Sequence, residues 1–79
     1  MYYVYILKSL KDNSYYTGVT INLEKRLTEH NSGYSAYSSS KIPFEIVWHC
    51  TFLDRSKAYN FEKYLKSSSG FAFRNKHLI

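Results

Sequence analysis

The chain has 79 residues and a formal net charge of +5, which allows one domain and favours a polyanionic partner such as nucleic acid. Cys50 is the only cysteine, which excludes an intramolecular disulfide, and the histidines are too scattered for the paired spacing of a zinc site. No apolar run approaches the roughly 18 residues of a spanning helix, and no basic segment precedes the short apolar start, so we expect a soluble cytoplasmic protein with no membrane partner.

Two strands in a hairpin are the first predicted elements. Residues 2–9, YYVYILKS, alternate as a strand with large side chains on both faces, so we expect both faces to be covered. KDNS is a turn signal, and residues 15–20 are rich in aromatic and β-branched side chains. Tyr5 and Tyr16 can project from one face of the sheet, but this depends on a register that the sequence does not fix.

A short amphipathic helix is predicted within the segment TINLEKRLTEHNSG. Leu23 and Leu27 lie four residues apart, as they would on one face of a helix. Thr20 or Asn22 can cap the start of this helix, and residues 31–33 offer a stop.

A serine-rich loop and a third strand follow this helix. Residues 32–43, SGYSAYSSSKIP, have the composition of a loop with little regular structure. The loop is either a simple connection or a nucleic-acid contact, in which Tyr34 and Tyr37 stack on bases and Lys41 meets phosphates. Residues 44–52, FEIVWHCTF, predict a strand that is buried in its middle.

A second helix and a basic tail complete the chain. Asp54 or Ser56 can cap the start of this helix. Ala58, Phe61 and Leu65 form one apolar stripe along it. The segment SSSG is expected to break the helix, and FAFRNKHLI to add a helical turn or two folded back on the sheet.

The order of these elements predicts the fold class. The chain reads strand, strand, helix, strand, helix, with a short C-terminal helical tail. This order predicts a single α+β domain over residues 1–79, with a mostly antiparallel three-stranded sheet flanked by helices.

Four motifs along the chain are similar to those of a known nuclease family. In this order, they resemble the GIY-YIG nuclease domain: Tyr3-Val4-Tyr5, Tyr16-Thr17-Gly18, LEKRLTEH and FEKYLK. The resemblance covers nearly the whole chain and is greatest to short stand-alone members related to the nuclease subunit of bacterial excision repair. The chain departs from the pattern at Tyr3, Val4 and Thr17, where the family name has Gly, Ile and Ile.

The resemblance implies a role for one or more residues of each motif. Tyr5 matches a tyrosine that helps to activate the attacking water, and Tyr16 matches one that orients the water and the phosphate. Arg26 matches the arginine that contacts the scissile phosphate, and His30 matches a polar partner one helical turn later. Glu62 matches the carboxylate that holds a single divalent metal, Mg²⁺ or Mn²⁺.

Elementary chemistry agrees with these implied roles. Phosphodiester cleavage builds negative charge, so a guanidinium such as Arg26 and a hard cation at Glu62 can each lower the barrier. Mg²⁺ commonly needs only one or two protein carboxylates, because waters and substrate supply its other ligands. A phenol is a weak base at neutral pH, so Tyr5 would need help from a neighbouring cation, metal-bound water or His30.

The C-terminal part of the chain adds candidate phosphate contacts. Lys66, Arg74 and Lys76 could form a patch that contacts phosphates, with a merely solubilising basic surface as the alternative. The family often has an asparagine downstream of its glutamate, and Asn75 is the best match for it in this chain.

Each candidate catalytic residue also has a structural interpretation. Tyrosines on a hairpin usually pack in the core or across strands, and a helix arginine is usually solvated. Glu62 could simply be a surface partner of Lys66, which lies four residues later. His30 could equally be a residue near the C-terminal end of the helix that is favoured by the helix dipole.

We therefore predict a metal-dependent endonuclease that acts on DNA, in the context of DNA repair. One alternative is a non-catalytic, basic nucleic-acid-binding module. Another is an interaction domain that is active only with a protein partner or with a second copy of the chain.

Overall fold

The computed structural model describes residues 1–33 and 39–79. Its elements in chain order are β1 Tyr2–Ser9, β2 Tyr15–Thr20, α1 Leu23–Asn31, β3 Phe44–Phe52, α2 Arg55–Leu65 and α3 Ser68–His77. The three strands form one antiparallel sheet in the order β2-β1-β3, so β1 is central and β2 is an edge strand. This α+β architecture confirms the predicted fold class. Within the described ranges, no helix has the length and apolar character needed to cross a membrane.

The turn between β1 and β2 is held by side chains that bond to the local backbone. The Asp12 carboxylate accepts hydrogen bonds from the backbone N–H and the hydroxyl of Ser14, at 3.0 and 2.6 Å. Asn13 takes a left-handed backbone conformation with φ of 63°, which asparagine tolerates better than most residues. The predicted KDNS turn is confirmed, and it fixes the pairing of β1 with β2.

Each helix in the described ranges begins at a capping side chain. The side-chain oxygen of Asn22 accepts from the backbone N–H of Lys25, and that of Asp54 accepts from the N–H of Ser56. These two residues were among the predicted caps. A side chain that bonds the first backbone donors of a helix stabilises it by about 1 kcal/mol, so local chemistry sets where α1 and α2 start.

The C-terminal tail is more regular than predicted. The segment SSSG does end α2, but Ser67 then caps α3 by accepting from the N–H of Gly70. The tail is therefore a helix of ten residues rather than a turn or two. Gly70 allows this close packing, because a Cβ at that position would collide with the backbone of Tyr64 and Leu65.

The central strand β1 has a hydrophobic core on each side, as the sequence predicts. On one side, here called the Val4 side, Val4 is fully buried with Ala58 and Leu65 of α2. On the other side, the Tyr5 side, the buried residues are Tyr5, Leu7 and Phe44, packed against Leu23 and Leu27 of α1. The two helices α1 and α2 therefore cover opposite sides of the sheet.

Candidate active site

A cleft of about 370 Å³ lies along the edge strand β2. One wall comes from α1 on the Tyr5 side of the sheet, and the opposite wall comes from α2. The structure brings all five predicted catalytic residues to this cleft: Tyr5, Tyr16, Arg26, His30 and Glu62. Side chains from both sides of the sheet thus meet at the edge strand, although the elements that hold them pack on opposite faces.

Gly18 allows the Tyr5 side chain to reach the cleft. Tyr5 and Gly18 are direct partners in the β1–β2 pairing, and a Cβ at position 18 would lie 2.6 Å from Cζ of the tyrosine ring. The ring therefore lies over the glycine, where any side chain would displace it. Tyr16 pairs with Leu7, two residues beyond Tyr5 along β1, so the register places both phenols on the same side of the sheet.

Arg26 connects α1 to the Tyr5 phenol. Its Nε donates a hydrogen bond to the Tyr5 hydroxyl at 3.2 Å, and its Nη1 lies 3.5 Å from a carboxylate oxygen of Glu29. The bond to Tyr5 is the main cause that raises the pKa of Arg26, so the guanidinium stays charged. A guanidinium has five donor hydrogens, more than these two neighbours use, so it can also bind an anion in the cleft.

His30 is held between aromatic rings as a neutral imidazole. Its ring centre lies 6.5 Å from that of Tyr5, 6.2 Å from Tyr16 and 5.7 Å from Phe44. Burial lowers the pKa of His30, and the positive charge of Arg26 lowers it further. Within residues 1–33 and 39–79, the buried Nε2 has no hydrogen-bond partner, so this nitrogen is available to a group that binds next to it.

Asn31 fixes the end of α1 and with it the position of His30. Its side chain accepts from the backbone N–H of Phe44 at 2.6 Å and donates to the carbonyl of the same residue at 3.1 Å. This paired bond joins α1 to the start of β3. Because the Phe44 ring packs against His30, the clamp also sets where the imidazole lies. Sequence reasoning gave no role to Asn31 beyond ending the helix.

Glu62 supplies the acidic group of the cleft. Its side chain is 17% exposed, and one carboxylate oxygen lies 2.5 Å from Nζ of Lys66, which also lines the cleft. Among the described residues that line the cleft, Glu62 is the only acidic one. No group of three His, Cys, Asp or Glu side chains in the described ranges could hold a metal. The Glu62 carboxylate fits a cation such as Mg²⁺, because this ion can bind to a single carboxylate with waters and phosphate oxygens as its other ligands.

Tyr59 is a cleft residue that the sequence reasoning missed. It lines the cleft and is 45% exposed, and the guanidinium carbon of Arg55 lies 5.2 Å from its ring centre. Tyr59 precedes Glu62 by three residues, which places the two on the same face of a helix. That spacing could have identified it.

The predicted tail patch is not one exposed surface. Arg74 is 8% exposed, and its guanidinium stacks on the rings of Tyr15 and Phe71 at 5.2 and 4.5 Å. The same group donates to the side-chain oxygen of Asn75 through Nε and Nη2. Neither Arg74 nor Asn75 lines the cleft, and burial leaves the arginine little surface for a phosphate. Lys76 is exposed.

The residues of the serine-rich loop are placed only in part. Lys41 pairs with Asp12 at the hairpin turn, with Nζ 2.6 Å from a carboxylate oxygen, and it does not line the cleft. This pairing holds the pKa of Asp12 well below its usual value. Tyr34 and Tyr37 lie outside the residues that the structure describes.

Separate comparisons with known proteins agree with one another. The model of the GIY-YIG catalytic domain matches residues 1–76. The chain is 46% identical over 67 residues to a UPF0213 protein of Clostridium perfringens, covering 84% of this chain and 71% of that protein. It is 42% identical over 69 residues to one of Staphylococcus haemolyticus, covering 86% and 83%. The solution NMR structure of a UPF0213 protein from Bacillus halodurans matches with a TM-score of 0.56 and 32% identity, over 96% of this chain and 84% of that one.

Proposed function

The chain belongs to the GIY-YIG catalytic domain family, and on this premise we propose that it is a divalent-metal-dependent endonuclease that hydrolyses DNA phosphodiester bonds. Membership of the family supports a nuclease-like function and implies a nucleic acid substrate. The observation that supports the proposal most strongly is the cleft, where a guanidinium, two phenols, an imidazole and a carboxylate lie together. We extend the proposal to a single domain over residues 1–79, acting in DNA repair in the cytoplasm.

The phosphate of the substrate would be held by Arg26. Its guanidinium is charged and bonds to the Tyr5 hydroxyl, and Arg26 lines both the cleft and a second depression of about 330 Å³ at the start of α1. A nucleic acid strand could therefore pass across this side chain from one depression to the other. The net charge of +5 would attract the strand over a longer range.

The attacking water would be oriented and deprotonated by groups of the Tyr5 side. Tyr5 and Tyr16 supply hydroxyls on one face of the sheet, and His30 lies against both rings. Because its pKa is lowered, His30 is neutral at pH 7 and can accept a proton from the water, directly or through a phenol. General base catalysis of this kind typically contributes a factor of about 100 to 10,000.

The metal, Mg²⁺ or Mn²⁺, would be held at a single site by Glu62. Nucleases of this family generally use divalent metals. When bound, the ion would offset negative charge on the phosphoryl oxygens and on the leaving oxygen. Glu62 suits this task because its carboxylate lies at the wall of the cleft with little exposure to water.

A nicking assay tests the proposal. A panel of labelled duplex, branched and single-stranded nucleic acids is incubated with the protein, with Mg²⁺, Mn²⁺ or EDTA. Arg26→Ala and Glu62→Gln should each lower the rate about 100-fold or more, whereas Glu45→Gln, an exposed carboxylate on the far edge strand, should leave it unchanged. Circular dichroism checks that each variant is folded. Cleavage that survives both substitutions would refute the proposal. A panel in which no nucleic acid is cut would also refute it.

A further inference from the structure

Glu62 and Lys66 form an ion pair inside the candidate active site. They lie one helical turn apart at the end of α2, both line the cleft, and Nζ lies 2.5 Å from the carboxylate oxygen. The two side chains differ in exposure, which is 17% for the glutamate and 56% for the lysine. The carboxylate is therefore held at the wall, whereas the ammonium sits at the end of a long, solvent-exposed stem.

A divalent cation and the Lys66 ammonium would compete for the same carboxylate. Two cations a few ångströms apart repel each other, most strongly where little water surrounds them. In the part of the chain that the structure describes, no other acidic side chain lines the cleft. If the Lys66 ammonium is displaced from Glu62, a phosphate bound in the cleft would therefore be the next negatively charged group with which it can pair.

The backbone permits this movement of the lysine side chain. Lys66 is the C-terminal cap of α2, and its N–H bonds to the carbonyls of Glu62 and Lys63. These bonds fix the end of the helix. Four rotatable bonds of the lysine stem remain to move the ammonium from the carboxylate toward the centre of the cleft.

From this geometry we propose that Lys66 is an exchangeable cation of the active site. Glu62 holds its ammonium until a divalent cation binds to that carboxylate, and the ammonium then moves onto the substrate phosphate. This inference rests on the proposed function, since it gives the cleft a phosphate and a cation to bind. It makes Lys66 a phosphate-binding residue that couples metal binding to substrate binding.

A plain surface ion pair would behave differently. Exposed pairs four residues apart on a helix contribute little, and removal of one partner changes only local stability. Lys63 provides a matched control because it lies on the same helix next to Glu62, is exposed, has the same charge and does not line the cleft.

The first experiment measures Mn²⁺ binding in the absence of nucleic acid. Electron paramagnetic resonance counts free Mn²⁺ during titration of the wild type, Lys66→Met, Lys63→Met and the double variant Glu62→Gln with Lys66→Met. We expect Lys66→Met to bind Mn²⁺ about fivefold or more tightly than the wild type, Lys63→Met to match the wild type, and the double variant to lose the gain. Equal affinities for Lys66→Met and Lys63→Met, or no binding by either, would overturn the inference.

The second experiment measures DNA binding in EDTA, where no cleavage occurs. Glu62→Gln should tighten binding of a labelled oligonucleotide severalfold, because it releases the Lys66 ammonium to the phosphate. The gain should vanish when Lys66→Met is added and persist when Lys63→Met is added. A gain that persists with Lys66→Met would mean that Glu62 merely repels the DNA, and it would overturn the inference.

These results are separable from a failure of the proposed function. Neither readout depends on catalysis. If no substrate is cut but Lys66→Met shows the gain in Mn²⁺ affinity, the endonuclease proposal fails and the exchange stands. If Glu62→Gln abolishes cleavage but Lys66→Met binds Mn²⁺ like the wild type, the exchange fails and the endonuclease proposal stands.

Discussion

The two sides of strand β1 differ in the side chains that they bury. On the Val4 side, aromatic and aliphatic side chains pack against Val4, Ala58 and Leu65, and these three side chains are at most 1% exposed. On the Tyr5 side, the buried set includes a phenol, and the imidazole of His30 packs against it. The buried cluster on the Val4 side is therefore entirely apolar, whereas the buried groups on the Tyr5 side include polar ones.

This difference shows how a chain of 79 residues can combine a core with a site. Polar groups that are buried without partners destabilise a fold, and Tyr5 avoids this because its hydroxyl bonds to Arg26. The Val4 side therefore contributes stability through a purely apolar buried cluster, and the Tyr5 side keeps its polar atoms aimed at the edge strand. We expect substitutions on the two sides to separate stability from activity.

The largest effect on stability should come from Leu65→Ala on the Val4 side. Removal of this buried side chain leaves a cavity under α2 and should lower the free energy of unfolding by about 2–5 kcal/mol, as measured by urea denaturation. Activity per folded molecule should change little. Leu53→Ala, at a side chain that is 81% exposed, serves as the control with almost no loss. A loss below about 1 kcal/mol for Leu65→Ala would contradict the assignment of stability to this side.

Gly18→Ala should damage both properties, because it acts at the junction of the two sides. The new methyl group would collide with the Tyr5 ring, and overpacking of this kind costs about 1–3 kcal/mol. Displacement of the hydroxyl by about 1 Å should lower the cleavage rate about 100-fold. Val19→Ala, the next residue of β2, should lower stability with a smaller effect on rate. If Gly18→Ala cuts DNA at the wild-type rate, the position of Tyr5 is not essential.

Asn31→Ala should weaken the clamp between α1 and β3. The backbone N–H and carbonyl of Phe44 would lose their partner, and the expected loss is about 1–3 kcal/mol in the free energy of unfolding. Asn31→Asp keeps the acceptor for the N–H but loses the donor to the carbonyl, so its loss should be smaller. Equal stability of the alanine variant and the wild type would show that the clamp does not hold the Tyr5 side together.

The smallest effect should be a pH dependence from His30. Its pKa is lowered in the folded protein, chiefly by burial, and lies near 6.5 in an unfolded chain. Between these two pKa values the unfolded chain binds more protons than the folded protein. The contribution of His30 to the free energy of unfolding is therefore complete above about pH 6.5, and it is lost as the pH falls from there through the lower, folded-state pKa. Urea titrations at several pH values should show this slope in the wild type.

Two variants separate the His30 contribution from other titrating groups. His30→Gln should flatten the slope below about pH 6.5, and the exposed His49 gives the control His49→Gln, which should retain it. A slope that is unchanged in His30→Gln would contradict the assignment.

Local features of the fold could be predicted because they depend on neighbouring residues. The turn at KDNS and the caps Asn22 and Asp54 follow from side-chain oxygens placed within three residues of the donors that they satisfy. The length of α3 could not be predicted in the same way. Gly70 weakens an isolated helix, and only its close packing on Tyr64, a tertiary contact, makes that glycine favourable.

The site required information that local patterns do not contain. The resemblance supplied candidate residues, but the register of Tyr5 with Gly18 and the approach of α2 around the edge strand depend on the whole fold. Arg74 illustrates the same limit. A basic tail predicts a solvated charge, whereas packing between two aromatic rings buries this one.

The central claim is that groups from both sides of the sheet, Arg26 on α1 and Glu62 on α2, form one active site. Cleavage rates of Arg26→Ala, Glu62→Gln and the double variant test it most directly, on whichever nucleic acid the wild type cuts. The effects of substitutions at residues that act as a unit are strongly non-additive. The double variant should therefore be at most about threefold slower than the slower of the two single variants. Two losses that multiply in the double variant, or a single variant with wild-type activity, would contradict the account.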